Sequence, residues 1–195
     1  MGTIQPRTVH IAGCAVSIRV GIESDADAVI AHRRHMVQTS PHAVTAADEV
    51  EADPRRVREW IQDHAGNPGW LLLVATESPT SGAQTGGRIL GALSFRCGNR
   101  RRVRHHGDFG VSVVEDFRGK GIGRALLETL IDWATHHEFI EKIYLGVFES
   151  NSGARRLYER LGFEIEAIRG GYFKLENGTY CNDILMSRWV KPRPR

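Results

Sequence analysis

The segment Val111-Ser112-Val113-Val114-Glu115-Asp116-Phe117-Arg118-Gly119-Lys120-Gly121-Ile122-Gly123-Arg124-Ala125-Leu126-Leu127 constrains this chain more than any other. Alternation at its start predicts a strand, the glycines a tight turn, and the apolar spacing beyond Gly123 a helix. The first amides of a helix have no internal partners. Together with the positive end of the helix dipole they form a cradle for phosphate. Gly119, Gly121 and Gly123 let backbone approach an anion closely, and Arg118, Lys120 and Arg124 add charge around it. A plain tight loop is the other reading of such a turn. Two nucleotide motifs fit badly. A P-loop needs Ser or Thr after its Gly-Lys, and Gly121 follows Lys120. A dinucleotide fingerprint needs an early βαβ unit and an acidic residue on the next strand, and neither is evident.

With 195 residues and 41% hydrophobic composition, one core and one domain are expected. Residues 1–15 lack periodicity and read as an N-terminal extension. The domain is placed at 16–190, with 191–195 as a tail. Val16, Ile18 and Val20 alternate as a strand, and Ser24 with Asp27 suggests a capped helix running to about Gln38. Asp53-Pro54 opens a second helix that should stop at Gly66. Strands are expected at Trp70–Ala75, Ile89–Arg96, Phe109–Val113 and Ile143–Phe148, and helices at Gly123–His136 and Ser152–Leu161. Ser78–Gly87 has the composition of a hairpin loop. Asn177-Gly178, between two β-like runs, favours a two-residue hairpin turn. The order βααβββαβαββ describes an α/β (α+β) fold, a mixed, mostly antiparallel central sheet flanked by helices.

Charge and cysteine content exclude several classes. The formal net charge of +3 arises from 26 basic and 23 acidic residues spread along the chain, so no field points to nucleic acid or membrane. Cys14, Cys97 and Cys181 have neither disulfide nor zinc spacing, and a reducing cytoplasm is the expected compartment. No apolar run approaches the roughly 20 residues that span a bilayer. Ile11-Ala12-Gly13-Cys14 resembles a lipoprotein box, but Gln5, Arg7 and His10 stand where its apolar run would lie. Pro6 rules out a myristoylation signal at Gly2. His32 with His35, and the pairs His105-His106 and His136-His137, lack a third convergent ligand, so no metal is expected. Arg100, Arg101, Arg102 and Arg104 read as a solvated turn, and the four tryptophans as packing.

Arg118-Gly119-Lys120-Gly121-Ile122-Gly123 resembles the Arg/Gln-x-x-Gly-x-Gly/Ala motif of the GNAT superfamily of N-acetyltransferases. A second block, Asn151-x-x-Ala154-x-x-Leu157-Tyr158-x-x-x-Gly162-Phe163, is similar to that family's Asn-x-x-Ala-x-x-Leu-Tyr-x-x-x-Gly-Phe pattern. The matching region spans roughly residues 16 to 188. The resemblance implies acetyl-CoA as acetyl donor, its pyrophosphate held by Arg118, Gly119, Lys120, Gly121, Gly123 and Arg124. It also implies pairing of Val113 backbone with the pantetheine arm, a polar contact from Asn151, and Tyr158 as both cofactor contact and the general acid for the departing thiolate. Glu115 stands where many members have proline, a position of mostly main-chain contacts.

Asn151 and Tyr158 are seven apart, so on one helix they share a face. Read singly, Asn151 is a helix cap and Tyr158 a packing residue. The attacking amine must lose a proton, and Asp108, Glu115 and Glu149 all remain open as the base. Gly178-x-Tyr180 and Met186 resemble the Gly-x-Tyr-x-Asp-x-x-x-Met ending of small bacterial members, with Asn182 at the aspartate position and Asp183 beside it. A small-molecule primary amine, such as an amino acid, polyamine or antibiotic, is the expected partner. A protein N-terminus or lysine is the alternative, and a homodimer stays open. A noncatalytic acyl-CoA sensor and a nucleotide-binding protein are the readings from other classes.

Overall fold

Hydrophobic alternation sorts the strands into one continuous sheet whose two faces bury different apolar sets. In a computed structural model, described over residues 4–11, 13–77 and 87–192, the elements follow as β1 (Arg7–Ile11), β2 (Cys14–Val20), α1 (Ala26–Thr39), α2 (Pro54–Gly66), β3 (Trp70–Glu77) and β4 (Ile89–Cys97). They continue as β5 (His106–Val113), α3 (Ile122–His136), β6 (Lys142–Phe148), α4 (Ser152–Arg160), β7 (Glu164–Lys174) and β8 (Tyr180–Trp189). The eight strands lie in the order β1-β2-β3-β4-β5-β6-β8-β7, and every neighbouring pair is antiparallel except β5 and β6.

The expected order is present with one strand added. Residues Arg7–Ile11 form β1 and pair with β2, Val9 opposite Val16. The Arg7 guanidinium donates to the Ala125 carbonyl of α3. Only Val9 and Ile11 alternate here with the exposed Thr8 and His10, a pattern too short to mark a strand by itself. The expected loop at Ser78–Gly87 lies outside the described residues up to position 86.

Leu71, Leu73, Leu93, Phe95, Ile143 and Leu145 face α3 and α4, where Leu126, Leu130, Trp133 and Tyr158 complete the larger core. Leu72, Val74 and Ile89 face the other way, against Val29 and Ile30 of α1 and Val57 and Ile61 of α2. Each of these side chains contributes about 1.5–3 kcal/mol on burial. The period of 3.6 in the helices meets the period of 2 in the strands, giving helix, sheet and helix layers.

Helix starts follow local chemistry. Asp53 Oδ1 accepts from the Arg55 amide at 2.9 Å with Pro54 at the first helical position, and α2 ends at Gly66 as expected. The cap proposed at Ser24 is not used. Ser24 lies inside a 3-10 turn, Glu23–Asp25, and α1 begins only at Ala26. The Asp25 carboxylate instead accepts from the Ile22 amide at 2.9 Å and from Arg19 at 2.7 Å through both oxygens. The last hairpin is also one residue longer than Asn177-Gly178 suggests. The Gly178 amide donates to Leu175, and the Leu175 amide donates to Thr179, closing a three-residue loop with Gly178 at φ 81. Such a loop places one residue in the left-handed region after an ordinary turn, which explains the glycine.

Candidate active site

The sheet opens where its one parallel pair lies. β4 and β5 stay in register along their length, from Gly91 opposite Val113 to Cys97 opposite Gly107. β6 and β8 do so from Lys142 opposite Trp189 to Phe148 opposite Asp183. β5 and β6 are joined only at His106–Lys142, Gly107–Ile143 and Asp108–Tyr144. Beyond Asp108 and Tyr144 the two strands separate, leaving a wedge with unpaired strand edges as its walls.

The glycine-rich turn stands at the wide end of this wedge. β5 stops at Val113, a 3-10 turn covers Glu115–Phe117, and Gly121 is the N-terminal cap of α3. Gly119 has φ 73 and Gly121 φ 105, a region costly for residues with a Cβ, and open space surrounds both positions. Backbone conformation, rather than crowding, therefore demands glycine here. No side chain caps α3, so the amides of Ile122, Gly123 and Arg124 have no intrahelical partner. Gly123 is the meeting point of the two sequence blocks. A Cβ placed there would stand 3.6 Å from both Leu157 of α4 and Val113 of β5, an ordinary contact.

Arg118, Gly119, Lys120, Gly121 and Arg124 are exposed, as an anion site requires. Arg118 Nε donates to the Val113 carbonyl at 3.1 Å. Lys120 Nζ lies 5.2 Å from the Phe117 ring centre, and Arg124 Nε donates to Glu128 at 2.8 Å. The carbonyl expected to pair with a pantetheine arm is thus already held by a side chain that must share or release it.

Asn151 stands just before α4 and Tyr158 within it, and the two do different work. Asn151 is the N-cap, its Oδ1 accepting from the Ala154 amide at 3.2 Å. Its Nδ2 has no partner among the described residues. Tyr158 is only 7% exposed, set edge-on to Phe109 of β5 and to Phe163 at centroid distances of 6.0 and 5.9 Å. No group among the described residues bonds its hydroxyl. Burial pushes that hydroxyl up to about 12, so it carries its proton at neutral pH.

The three carboxylates kept open as bases are all exposed. Asp108 stands at the crotch of the wedge, Glu115 in the 3-10 turn, and Glu149 accepts from Asn182 Nδ2 at 3.0 Å. Sequence reasoning missed two other groups. His32, set aside with His35, is buried, and its Nε2 lies 2.7 Å from Ser112 Oγ on β5. Asp183 is fully buried on β8, whereas Asn182 turns the other way and accepts from the Gly171 amide at 2.9 Å. Strand alternation says that Asn182 and Asp183 face opposite sides of β8, but not which of them is buried. An open cavity of about 670 Å³ lies away from all of these, between Arg160–Gly162 and the β7–β8 ribbon. Among the described residues no group of His, Cys, Asp and Glu could hold a metal, and no helix is long and apolar enough to cross a membrane.

The fold, a mixed sheet whose parallel pair splays beside a glycine turn, agrees with what comparison with known proteins finds. The chain belongs to the GNAT acetyltransferase family, whose model matches residues 39–163. It is similar to the L-amino acid N-acetyltransferase AaaT of Escherichia coli (strain K12), 31% identical over 129 residues, covering 66% of this chain and 74% of that protein. The GNAT-family acetyltransferase of Streptococcus pneumoniae has the same fold, with a TM-score of 0.81, 24% identity, and coverage of 89% of this chain and 99% of that one. So does the GNAT superfamily phosphinothricin acetyltransferase of Sinorhizobium meliloti in complex with AcCoA, with a TM-score of 0.74, 19% identity, and coverage of 89% and 88%.

Proposed function

We propose that this N-acetyltransferase takes its acetyl group from acetyl-CoA and transfers it to the primary amine of a small molecule by direct attack on the thioester. One observation carries the reading: the uncapped start of α3 follows β5 at the open end of the β5–β6 wedge, and Tyr158 packs against Phe109, the first β5 residue beyond the split.

The residues fit the donor. Free amides from Ile122 to Arg124, with Arg118, Lys120 and Arg124 around them, suit a diphosphate. The unpaired edge of β5 beyond Asp108 suits an extended amide-bearing arm, with Val113 backbone and Asn151 Nδ2 as contacts. When bound, acetyl-CoA supplies an activated acyl group on sulfur. Tyr158 then holds a proton at Oη for the sulfur as the carbon–sulfur bond breaks, and the proton lost by the amine balances it. A hydroxyl held near 12 is a donor rather than a base in this step. The similarity to an L-amino acid N-acetyltransferase supports a small acceptor.

Thiol release from acetyl-CoA with a panel of amino acids, polyamines and peptide N-termini tests the reading, alongside calorimetry with CoA. Turnover with a small amine is expected. Binding without turnover, in wild type and Tyr158→Phe alike, would leave an acyl-CoA sensor. Turnover with peptides alone would shift the acceptor to a protein N-terminus. Protection from thermal unfolding by ATP but not by CoA would overturn the donor.

A further inference from the structure

Asp183 is fully buried, yet only half of its carboxylate is used. Arg169 Nε donates to Oδ2 at 2.7 Å, and Arg169 Nη2 donates to the same oxygen. Oδ1 is buried without a partner among the described residues. Buried polar atoms are satisfied so consistently that such an oxygen calls for a specific explanation. Leaving a charged group's oxygen unpaired costs more than a neutral bond returns.

Its position supplies the explanation. A Cβ on Gly146 would stand 2.6 Å from Oδ1, so this carboxylate lies against bare backbone of β6. Gly146 is two residues past Tyr144, where β6 parts from β5, so Oδ1 lies over a part of β6 whose β5-side edge is unpaired. Asp183 is paired in register with Phe148, whose ring stacks on Phe173 at 3.7 Å and meets His42 at 5.6 Å. The anion therefore has an apolar floor next to it. Ser112 and His32 belong to this same face of the sheet, opposite the face that carries Tyr158.

We propose that Asp183 Oδ1 accepts an N–H from the protonated amine of the acceptor, with Arg169 fixing the other oxygen. The ligand class is a primary ammonium on an apolar body. Calling it the acceptor rests on the acetyl-transfer reading above. Arg169 satisfies Oδ2 alone, which leaves the lone pairs of Oδ1 free to accept from the ligand. A ligand on Oδ1 also explains glycine at 146, because any side chain there would take the place of the ligand or push the carboxylate away.

The test is calorimetry on CoA-saturated protein with 2-phenylethylamine, its isosteric alcohol 2-phenylethanol, and the trimethylated ammonium, which keeps charge but has no N–H. Wild type should bind the amine at least about tenfold more tightly than either analogue. Asp183→Asn should erase that preference, with its CoA affinity and circular dichroism reporting an intact fold. An equal affinity for amine and alcohol in wild type sinks the proposal without any variant, as does a preference that survives in Asp183→Asn. Turnover assays separate the two readings. An Asp183-dependent amine preference without acetyl transfer would defeat only the enzymatic reading. Acetyl transfer with the same amine KM in wild type and Asp183→Asn would defeat only this one.

Discussion

His32 of α1 and Ser112 of β5 lie 2.7 Å apart, nitrogen to hydroxyl, across the interface between helix and sheet. The other ring nitrogen, Nδ1, is 3.3 Å from the Ile89 carbonyl, so the neutral tautomer donates there and accepts from Ser112. Burial, aided by nearby His35 and Arg33, pushes His32 down to about 4. The folded value lies below the unfolded 6.5, so this contribution is complete above pH 6.5 and lost as pH falls toward 4. About 3 kcal/mol should disappear across that window. Denaturant unfolding at pH 7 and 4.5 measures it, and His32→Gln should flatten the dependence. An equally steep loss in the variant would show that another group titrates there.

Gly121→Ala should cost about 1 kcal/mol of stability and weaken CoA binding about tenfold, because alanine resists φ 105 and the turn would rotate its amides. Calorimetry and thermal melting read the two effects separately. Unchanged CoA affinity would show that the left-handed turn plays no part in the donor site.

Tyr158→Phe keeps the ring contacts with Phe109 and Phe163 and removes only the hydroxyl. The expected result is a fall in kcat of about 10²-fold or more, with CoA affinity within about twofold of wild type. A variant retaining wild-type kcat would make Tyr158 a packing residue.

Arg19→Met leaves Asp25 at 1% exposure without its two-oxygen partner. Removing one member of a buried ion pair strands the other charge, so a loss of about 3 kcal/mol is expected in urea unfolding. Arg19→Met with Asp25→Asn should recover part of it. A single variant as stable as wild type would place this pair among those that contribute nothing measurable.

The sequence was most readable where one local rule governs structure. Asp53-Pro54 begins α2, Val111 and Val113 alternate into β5, and Gly119 and Gly121 adopt the backbone that only glycine takes easily. The turn that leads into α3 was legible for the same reason, its geometry being contained within a few consecutive residues. β1 was not, since an edge strand with only Val9 and Ile11 facing inward depends on its partner β2 to define it. Asp25 shows the limit for caps: the carboxylate that matters is chosen by Arg19 on a neighbouring strand, which spacing within the helix cannot reveal. Asn182 and Asp183 were ambiguous as a pair, and only registration of β8 against β6 turns one outward and buries the other. His32 likewise gained its partner from a strand 80 positions away.

The placement of β8 between β6 and β7 also sets a timetable for the growing polypeptide. The turn through Gly119 and Gly121 is complete long before Asp183 leaves the ribosome. Until then β6 has a bare margin on one side and the wedge on the other, and β7 has emerged before the strand it must join. A nascent molecule halted after Lys174 would thus possess the glycine turn without the opposite wall, and would be open to misassembly along β6.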